Sequence, residues 1–456
     1  MVPGRLLNML WVVSFFVVCN ESVAQDTTKT AAPPPSAAPA VTFEDGSLHF
    51  GKDIDLRFGA LLQPSMELQQ DRPTAAEDSN SSYNRRWQHQ IFIRRMRFLF
   101  GGKVSRAFTF FFEFEAANVG RLATNTGSIG AKTGFPSAGN TAVMNLLDAQ
   151  LSYIACQEFS VMAGLMLIGP TRNGIQGAAT LMPVNYGAYT FVANAGAGNA
   201  LDNAVGRDVG VMFRGFFHEN RLEYRVSLSD GRARVDQAGN PQSLYSPLRF
   251  TTRLQYDIFD QQTPDIYPAI GGYFYTGTFL GKKKVLAIGA GLDMQRSYKS
   301  FAGDVFLDYP VNEGDGITVS VGYQSLDGGD PELGDNSFAR LIPKQGVFFS
   351  EAGYFINSLK LQPVAKFEMQ KVKGSNAQLG LSPSADPAEV TFLNDIRSSS
   401  RFGVGANYFP WGHNFNVKGM WELVSTMQAG LPSTAPFSEF KKSYSLFTFQ
   451  GQWMFF

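Results

Sequence analysis

Residues 91–116 constrain the fold more than any other stretch, because aromatic and charged side chains alternate along them. A period of two residues predicts β-strands, and the short turn at residues 101–106 predicts an antiparallel pair. In the first strand one face holds Phe92, Met96, Phe98 and Phe100, and the other holds Arg95 and Arg97 among Ile91, Ile93 and Leu99. In the second strand one face holds Phe108, Phe110, Phe112 and Phe114, and the other holds Thr109, Glu113 and Glu115.

If the phenylalanines share a face, the register predicts that Arg95 and Arg97 lie opposite or diagonal to Glu113 and Glu115. The aromatic stripe would then be about 25–30 Å long at ~3.3 Å per residue, which is close to the thickness of a bilayer. A core strand of a soluble β-sandwich would explain any one such strand equally well. The rest of the chain therefore has to decide between a soluble sheet and a membrane barrel.

The composition limits the classes of function. Lys+Arg and Asp+Glu both number 39 in 456 residues, so no net charge predicts binding to nucleic acid. Phenylalanine is abundant, with 40 residues, while the mean hydropathy is only −0.10, which indicates that apolar residues are interleaved with polar ones. The two cysteines predict no disulfide framework, and the four histidines show no spacing typical of a zinc site. No G-x-S-x-G motif is present, so we expect neither an enzyme nor a cofactor.

The N-terminus has the pattern of a secretory signal peptide, residues 1–24. Arg5 precedes an apolar stretch, and Ser22, Val23 and Ala24 form a small-x-small cleavage site. A single N-terminal membrane anchor is the alternative. Residues 25–45 are rich in proline and alanine and predict a disordered linker, and the barrel itself is expected over 46–456. No later run of 18 apolar residues occurs, so a membrane location would require a closed barrel.

Alternation recurs along the chain and predicts about 16 strands. They are 54–68, 91–100, 108–115, 147–153, 159–168, 209–217, 222–228, 248–258, 284–295, 300–309, 316–325, 346–356, 359–372, 400–409, 414–425 and 443–456. Residues 267–277 alternate weakly and contain Pro268, Gly271 and Gly272, so they are interpreted as a connection. Long connections then alternate with short ones, which predicts long extracellular loops at one rim, short periplasmic turns at the other, and a water-filled lumen.

The strand periodicity also predicts which charged side chains face the lumen. The predicted pore-lining residues are Arg57, Arg95, Arg97, Arg214, Arg225, Arg253, Lys366, Glu113 and Glu115. A row of guanidinium groups would attract anions and offer them successive weak sites. The alternative is that each arginine pairs with an acid on the wall and only stabilises the barrel. Residues 169–206 form the longest stretch without alternation, and their one base is Arg172, so they are a candidate constriction loop.

Several strand motifs resemble those of the phosphate-selective porins, the O and P type of bacterial outer membranes. They are IRRMRFLFGGKV (93–104), DAQLSYI (148–154), GRDVGVMFRG (206–215), TGTFLGKKKVLAIGAG (276–291), FAGDVFLDYP (301–310) and RFGVGANYFPWGHNFNVKGMW (401–421). The resemblance implies a 16-stranded outer-membrane barrel, usually a homotrimer, that passes anions by diffusion. It departs from the family at residues 164–169, which lack the Gln, Lys and Pro of the fifth-strand motif, and no lysine cluster occurs in the long stretches 118–141 and 169–206.

The sequence therefore predicts an all-β transmembrane antiparallel barrel in the bacterial outer membrane. Its expected function is passive diffusion of small hydrophilic solutes, with a preference for anions such as phosphate. Its expected partners are membrane lipids, these solutes and copies of itself. The rival hypothesis is a structural or adhesive barrel that binds a partner through its long loops.

Overall fold

A computed structural model describes residues 41–44, 47–50, 54–70, 87–105, 107–120, 144–187, 206–231, 247–262, 273–312, 314–329, 344–372, 399–426 and 442–455. The predicted signal peptide and the first part of the predicted linker lie outside these residues. No helix in the described part of the chain is long and apolar enough to cross a membrane.

Sixteen antiparallel strands form the wall of a closed barrel, as predicted. They are β3 (Ile54–Gln70), β4 (Trp87–Lys103), β5 (Phe108–Val119), β6 (Asn145–Cys156), β7 (Phe159–Leu167), β8 (Arg207–Phe217), β9 (Leu222–Ser229), β10 (Arg249–Asp257), β11 (Val285–Gln295), β12 (Tyr298–Pro310), β13 (Gly316–Asp327), β14 (Gln345–Phe355), β15 (Leu361–Val372), β16 (Ser399–Tyr408), β17 (Phe415–Thr426) and β18 (Lys442–Phe455). Each strand pairs with the next along the chain, and β18 pairs with β3 to close the wall.

Two short strands precede the barrel: β1 (Val41–Glu44) and β2 (Ser47–Phe50). They form a hairpin. β2 pairs with the first four residues of β3, and β18 pairs with the same edge of β3 from Ala60 onward. The predicted disordered linker, 25–45, is therefore wrong for its last residues, because 41–44 are paired as a strand.

The outward face of the wall is apolar along its whole circumference. Exposed apolar side chains occur on nearly every strand: Phe58, Ile91, Phe98, Phe108, Leu151, Val209, Leu254, Ile288, Phe301, Val321, Phe367, Phe402, Val417 and Phe449. The inward face carries the charged residues, which are mostly buried. A wall closed by strand pairing all the way round has no open edge, and its apolar exterior suits it to lipid and not to water. The chain is a transmembrane β-barrel.

The predicted faces of β4 are correct after residue 95 and wrong before it. A bulge at Arg94 shifts the register, because Gln63 pairs with Arg95 and Pro64 pairs with Ile93. The extra residue reverses the alternation. Phe92 therefore points inward and is 3% exposed, whereas Ile91 points to lipid and is 70% exposed.

The strand directions place most short turns at one rim, where β3 begins and β18 ends, and most long connections at the other. The pair of connections around β11 breaks this rule. A long connection, 258–284, joins β10 to β11 at the short-turn rim, and only residues 296–297 join β11 to β12 at the long-loop rim. The expectation that every long connection lies at one rim is therefore wrong here. Residues 267–277 were interpreted above as a connection, and their described part, 273–277, forms no strand of the wall, as expected.

Candidate functional site

Residues 168–187, called here the first inserted segment, leave β7 and lie inside the barrel. They contain two short 3-10 helices, Asn173–Ile175 and Ala178–Thr180. The segment contacts widely separated parts of the wall. Arg253 on β10 donates to the Pro170 carbonyl at 3.0 Å. Gln452 on β18 donates to the Ala179 carbonyl at 2.9 Å, and Lys418 on β17 donates to the Leu181 carbonyl. The segment therefore crosses the interior.

Residues 273–284, the second inserted segment, enter from the short-turn rim. The hydroxyl of Tyr273 donates to Asp148 on β6, and that of Tyr275 donates to Glu223 on β9 at 2.9 Å. On the far side, the Thr278 hydroxyl lies 2.9 Å from that of Thr318 on β13. The periodicity of the sequence did not predict that this segment lies inside the barrel. Its contacts are single side-chain hydrogen bonds to strands that are distant in the sequence, and such contacts leave no repeating pattern.

The two inserted segments pair with each other through their backbones. The Tyr275 amide donates to the Ile175 carbonyl at 3.0 Å, and the Gly177 amide donates to the Tyr275 carbonyl at 2.9 Å. Next to this bridge the Gly277 amide donates to the Thr180 hydroxyl at 3.1 Å. A side chain at Gly277 would lie 2.5 Å from the Thr180 carbonyl oxygen, so the close approach requires glycine. Together the segments form one inner layer against the wall.

Three of the predicted pore arginines form a row across adjacent strands, called here the arginine row. Arg214 on β8 lies directly opposite Arg225 on β9, which lies directly opposite Arg253 on β10. Each is only 1–4% exposed. Like charges in direct register repel, so the row needs compensating acids. Glu223 accepts from Arg214 Nε at 2.7 Å and from Arg225 Nε at 2.9 Å through the same oxygen, Oε1.

The ring of Tyr275 contacts three guanidinium groups at the arginine row. The guanidinium carbons of Arg172, Arg225 and Arg253 lie 4.8, 4.5 and 5.2 Å from its centroid. Such cation–π contacts strengthen where water is excluded. Asp304 on β12 binds Arg253 with both oxygens at 2.7 and 2.8 Å and accepts the Arg172 amide at 2.9 Å. The predicted constriction residue Arg172 thus lies beside the arginine row.

The cluster formed by the arginine row and Arg172 has donors that make no hydrogen bond. Arg172 Nε, Arg214 Nη2 and Arg225 Nη1 are buried and have no hydrogen-bond partner among the described residues. A buried donor without an acceptor costs free energy comparable to a lost hydrogen bond. These three nitrogens are therefore able to bind an anion or water in this cluster.

The other predicted residues on β4 and β5 behave differently from one another. Arg97 donates to Glu113 and to Glu115, each at 2.7 Å, which confirms the predicted cross-strand pairing. Arg95 instead donates to Gln63 Oε1 at 2.7 Å and lies over the Tyr186 ring. The register places Ala117 opposite Arg95 and Glu115 diagonal to it, as predicted, although its hydrogen bond goes to Gln63.

The remaining predicted residues lie far from the arginine row. Arg57 is half-buried near the short-turn rim and pairs with Asp55 at 3.2 Å. Lys366 on β15 binds Glu368 at 3.0 Å and Glu422 at 2.6 Å. The predictions omitted Arg207, which binds Asp148 at 2.9 Å and Glu113 at 3.4 Å. The alternation along β8 assigns Arg207, its first residue, to the outward face. The long side chain nevertheless reaches inward to these acids.

His413, in the turn between β16 and β17, fixes the second inserted segment at the short-turn rim. Its Nε2 lies 2.9 Å from the Thr278 carbonyl oxygen, and because a carbonyl can only accept, Nε2 carries the proton. Burial, reinforced by the positive charge of Lys418, lowers the pKa of His413 to about 4. The ring is therefore neutral at pH 7. The described residues contain no group of His, Cys, Asp or Glu side chains suited to a metal ion.

Comparison with known proteins gives matches among solved structures only. No family model and no curated protein matches the sequence. The anion-selective porin of Comamonas acidovorans superposes with a TM-score of 0.49 at 10% identity, covering 88% of this chain and 100% of that one. The outer membrane channel DcaP of Acinetobacter baumannii gives 0.47 at 12% identity, with 88% and 98% covered. OmpT of Vibrio cholerae, in its trimer form, gives 0.47 at 11%, with 89% and 100% covered. The fold of this chain rests on its own strand pairing.

Proposed function

We propose that the chain is a porin-like channel for the passive diffusion of small hydrophilic solutes, with anions such as phosphate preferred. The proposed pore-lining residues are Arg57, Arg95, Arg97, Arg214, Arg225, Arg253, Lys366, Glu113 and Glu115. The first inserted segment, with Arg172, is the proposed constriction. We further propose that three copies assemble in the membrane, as the strand motifs suggest, which native mass spectrometry in detergent would test.

The observation that carries this proposal is the arginine row with the neighbouring Arg172, which together have three guanidinium nitrogens without a hydrogen-bond partner among the described residues. Guanidinium groups recognise carboxylate and phosphate oxygens through fixed parallel donors. Donors already satisfied by wall acids would only stabilise the barrel, whereas unpaired ones remain able to bind a passing anion. Weak, successive binding of this kind favours both entry and exit of the ion.

Reversal potentials in planar bilayers test the anion preference. We expect the wild-type barrel to pass chloride and phosphate better than potassium in a salt gradient. Arg225→Gln removes one charge from the arginine row and should lower the anion-to-cation permeability ratio about two- to tenfold, as expected for a screened charge near the path. Arg225→Lys keeps the charge and is the matched control. A cation-selective wild type, or an unchanged ratio in Arg225→Gln, would refute the proposal.

A closed structural or adhesive barrel is the second candidate, and the packing of the interior favours it. Both inserted segments lie inside the wall and contact it, and the arginine row is nearly inaccessible to solvent. A barrel closed in this way would show no conductance steps in the same bilayers. A purified, folded barrel without conductance would therefore replace the channel proposal with this one.

A further inference from the structure

A second in-register row lies on the part of the wall formed by β14 to β17. Glu351 on β14 is directly opposite Lys366 on β15, which is opposite Gly403 on β16, which is opposite Glu422 on β17. These four residues are called here the lysine–glutamate row. The row starts with a carboxylate next to an ammonium group, so the simplest expectation is an ion pair between Glu351 and Lys366.

The ion pair forms on the other side instead. Lys366 Nζ reaches across β16 to Glu422 at 2.6 Å, and it also binds Glu368 at 3.0 Å. Gly403 makes this crossing possible, because a side chain there would meet Lys366 Cγ at 3.1 Å and Glu422 Cγ at 3.2 Å. The absence of a side chain at Gly403 thus draws the ammonium group away from Glu351.

Glu351 is left buried and without a partner. It is 3% exposed, and neither carboxylate oxygen has a hydrogen-bond partner among the described residues. Leaving a carboxylate buried and unpaired is among the most costly arrangements in a protein interior. The neighbouring base on β17, Lys418, donates to the carbonyls of Leu181 and Pro183 and is also occupied.

We propose that Glu351 is the anionic half of a binding subsite for a small alkylammonium solute. The row already holds one ammonium group, that of Lys366, between two carboxylates at 2.6 and 3.0 Å, which shows the chemistry that these acids accept. Apolar side chains flank the carboxylate and would face the alkyl tail of such a solute. Phe349 is the next inward residue along β14 and is buried, and the sulfur of Met182 lies against Gly353 on the other side.

The subsite rests on the proposed channel function, because a solute must reach the interior to bind. It differs from the arginine row in charge, in position on the wall and in the group that it recognises. A solute with both a carboxylate and an ammonium group would find a matching site for each on the wall.

Thermal unfolding of the folded full-length barrel in detergent tests the subsite without requiring conductance. The probe is n-butylammonium chloride, compared with sodium chloride at equal ionic strength and with tetramethylammonium, which has no N–H donor. A ligand that binds only the folded state raises Tm. We expect butylammonium to raise the wild-type Tm by about 2 °C or more at saturation, and the two control salts to leave it unchanged.

Two variants locate the effect. Glu351→Gln should weaken the apparent affinity for butylammonium about tenfold or more, because it removes a charged acceptor. Glu67→Gln on β3, where Glu67 accepts from Gln90 at 3.0 Å, removes the same charge from another part of the wall and should keep the wild-type shift. If Glu351→Gln does not fold, Glu351→Asp, which keeps the carboxylate, should retain part of the shift.

The proposal is overturned if butylammonium fails to raise the wild-type Tm, if tetramethylammonium does so equally, or if Glu351→Gln responds like the wild type. Conductance separates this inference from the channel proposal. Butylammonium should reduce the single-channel conductance of the wild type and of Glu67→Gln, but not that of Glu351→Gln. A barrel that never conducts but retains the Tm shift would refute the channel and keep the subsite. A conducting barrel whose Tm does not change with butylammonium would refute the subsite and keep the channel.

Discussion

Tyr275→Phe should loosen the second inserted segment while leaving the wall intact. The phenol is 4% exposed, donates to Glu223 Oε2 at 2.9 Å and accepts from Arg253 Nε at 3.3 Å. Phenylalanine keeps the ring and its contacts with the guanidinium groups, so the change isolates the hydroxyl. The described arginine donors to Glu223 act on its other oxygen, so Oε2 loses the donor that the hydroxyl supplies.

The size of the effect follows from these contacts. A hydrogen bond to a charged group contributes about 1.5–3 kcal/mol, and Arg253 retains other acceptors, so we take about 2 kcal/mol for the loss. The hydroxyl belongs to the inserted segment, so the free energy that falls is that of local detachment of residues 273–284. At ~1.4 kcal/mol per factor of ten, the detached state becomes about 30 times more populated.

Limited proteolysis measures this population. The segment contains lysines at 282–284, and cleavage there follows the detached fraction when opening is fast compared with cutting. We expect trypsin to cut this site about 10- to 100-fold faster in Tyr275→Phe, with the fragments identified by mass spectrometry. Tyr224→Phe is the control, because its hydroxyl donates to the Glu158 carbonyl at 2.8 Å, outside the inserted segments. Equal cleavage rates in Tyr275→Phe and the wild type would refute the idea that this hydroxyl holds the segment.

Three further changes give separate tests. Arg249→Met should destabilise the barrel by about 3–5 kcal/mol in urea unfolding, because Arg249 is buried and binds Asp293 at 2.7 and 2.8 Å. The Asp293 carboxylate would lose this charged partner and keep the hydrogen bonds from the hydroxyls of Thr251 and Tyr298. Replacing Asp293 by leucine in the same chain should restore most of that stability, and a double variant as unstable as the single one would contradict this. His413→Gln should remove an acid-dependent loss of stability. Burial lowers the pKa of His413 to about 4 from 6.5 when free, so the free energy of unfolding should decrease by up to about 3 kcal/mol as the pH falls from 6.5 towards 4. Tm of the wild type should therefore fall more steeply with decreasing pH than that of the variant. Parallel curves would exclude this role. Gly403→Val should block the path of Lys366 across β16 and return its ammonium group to Glu351, so the Tm shift with butylammonium should disappear while the barrel still folds.

The wall was predictable because lipid imposes the same demand at every outward position. Phe108 and Phe98 alternate with Thr109 and Arg97 for that reason, and the period of two was visible without any structure. The bulge at Arg94 was not predictable from alternation alone, since one extra residue changes the face of everything before it without changing the composition. Pro64, which cannot donate to the ladder, was the one local signal.

The contents of the lumen were only partly predictable. The lack of alternation in 169–206 marked the first inserted segment correctly as non-strand, and its lone base Arg172 does lie in the arginine cluster. The second inserted segment gave no comparable signal. The weak alternation around Tyr273 and Tyr275 is typical of an irregular strand. Their buried hydroxyls donate to Asp148 and Glu223, which are more than 50 positions away in the sequence.

The strand register explains why equal numbers of acids and bases can still give two chemically distinct sites. Within one strand, Glu223 and Arg225 are neighbours on the same face, so counting charges along the sequence predicts neutrality there. Register then adds Arg214 and Arg253 on either side, and the local balance becomes positive. On the opposite part of the wall, Gly403 lets Lys366 leave its register partner, and Glu351 has no hydrogen-bond partner among the described residues. The local charge inside such a barrel is therefore set by which residues lie opposite one another across strands, and a neutral sequence is compatible with an unevenly charged interior.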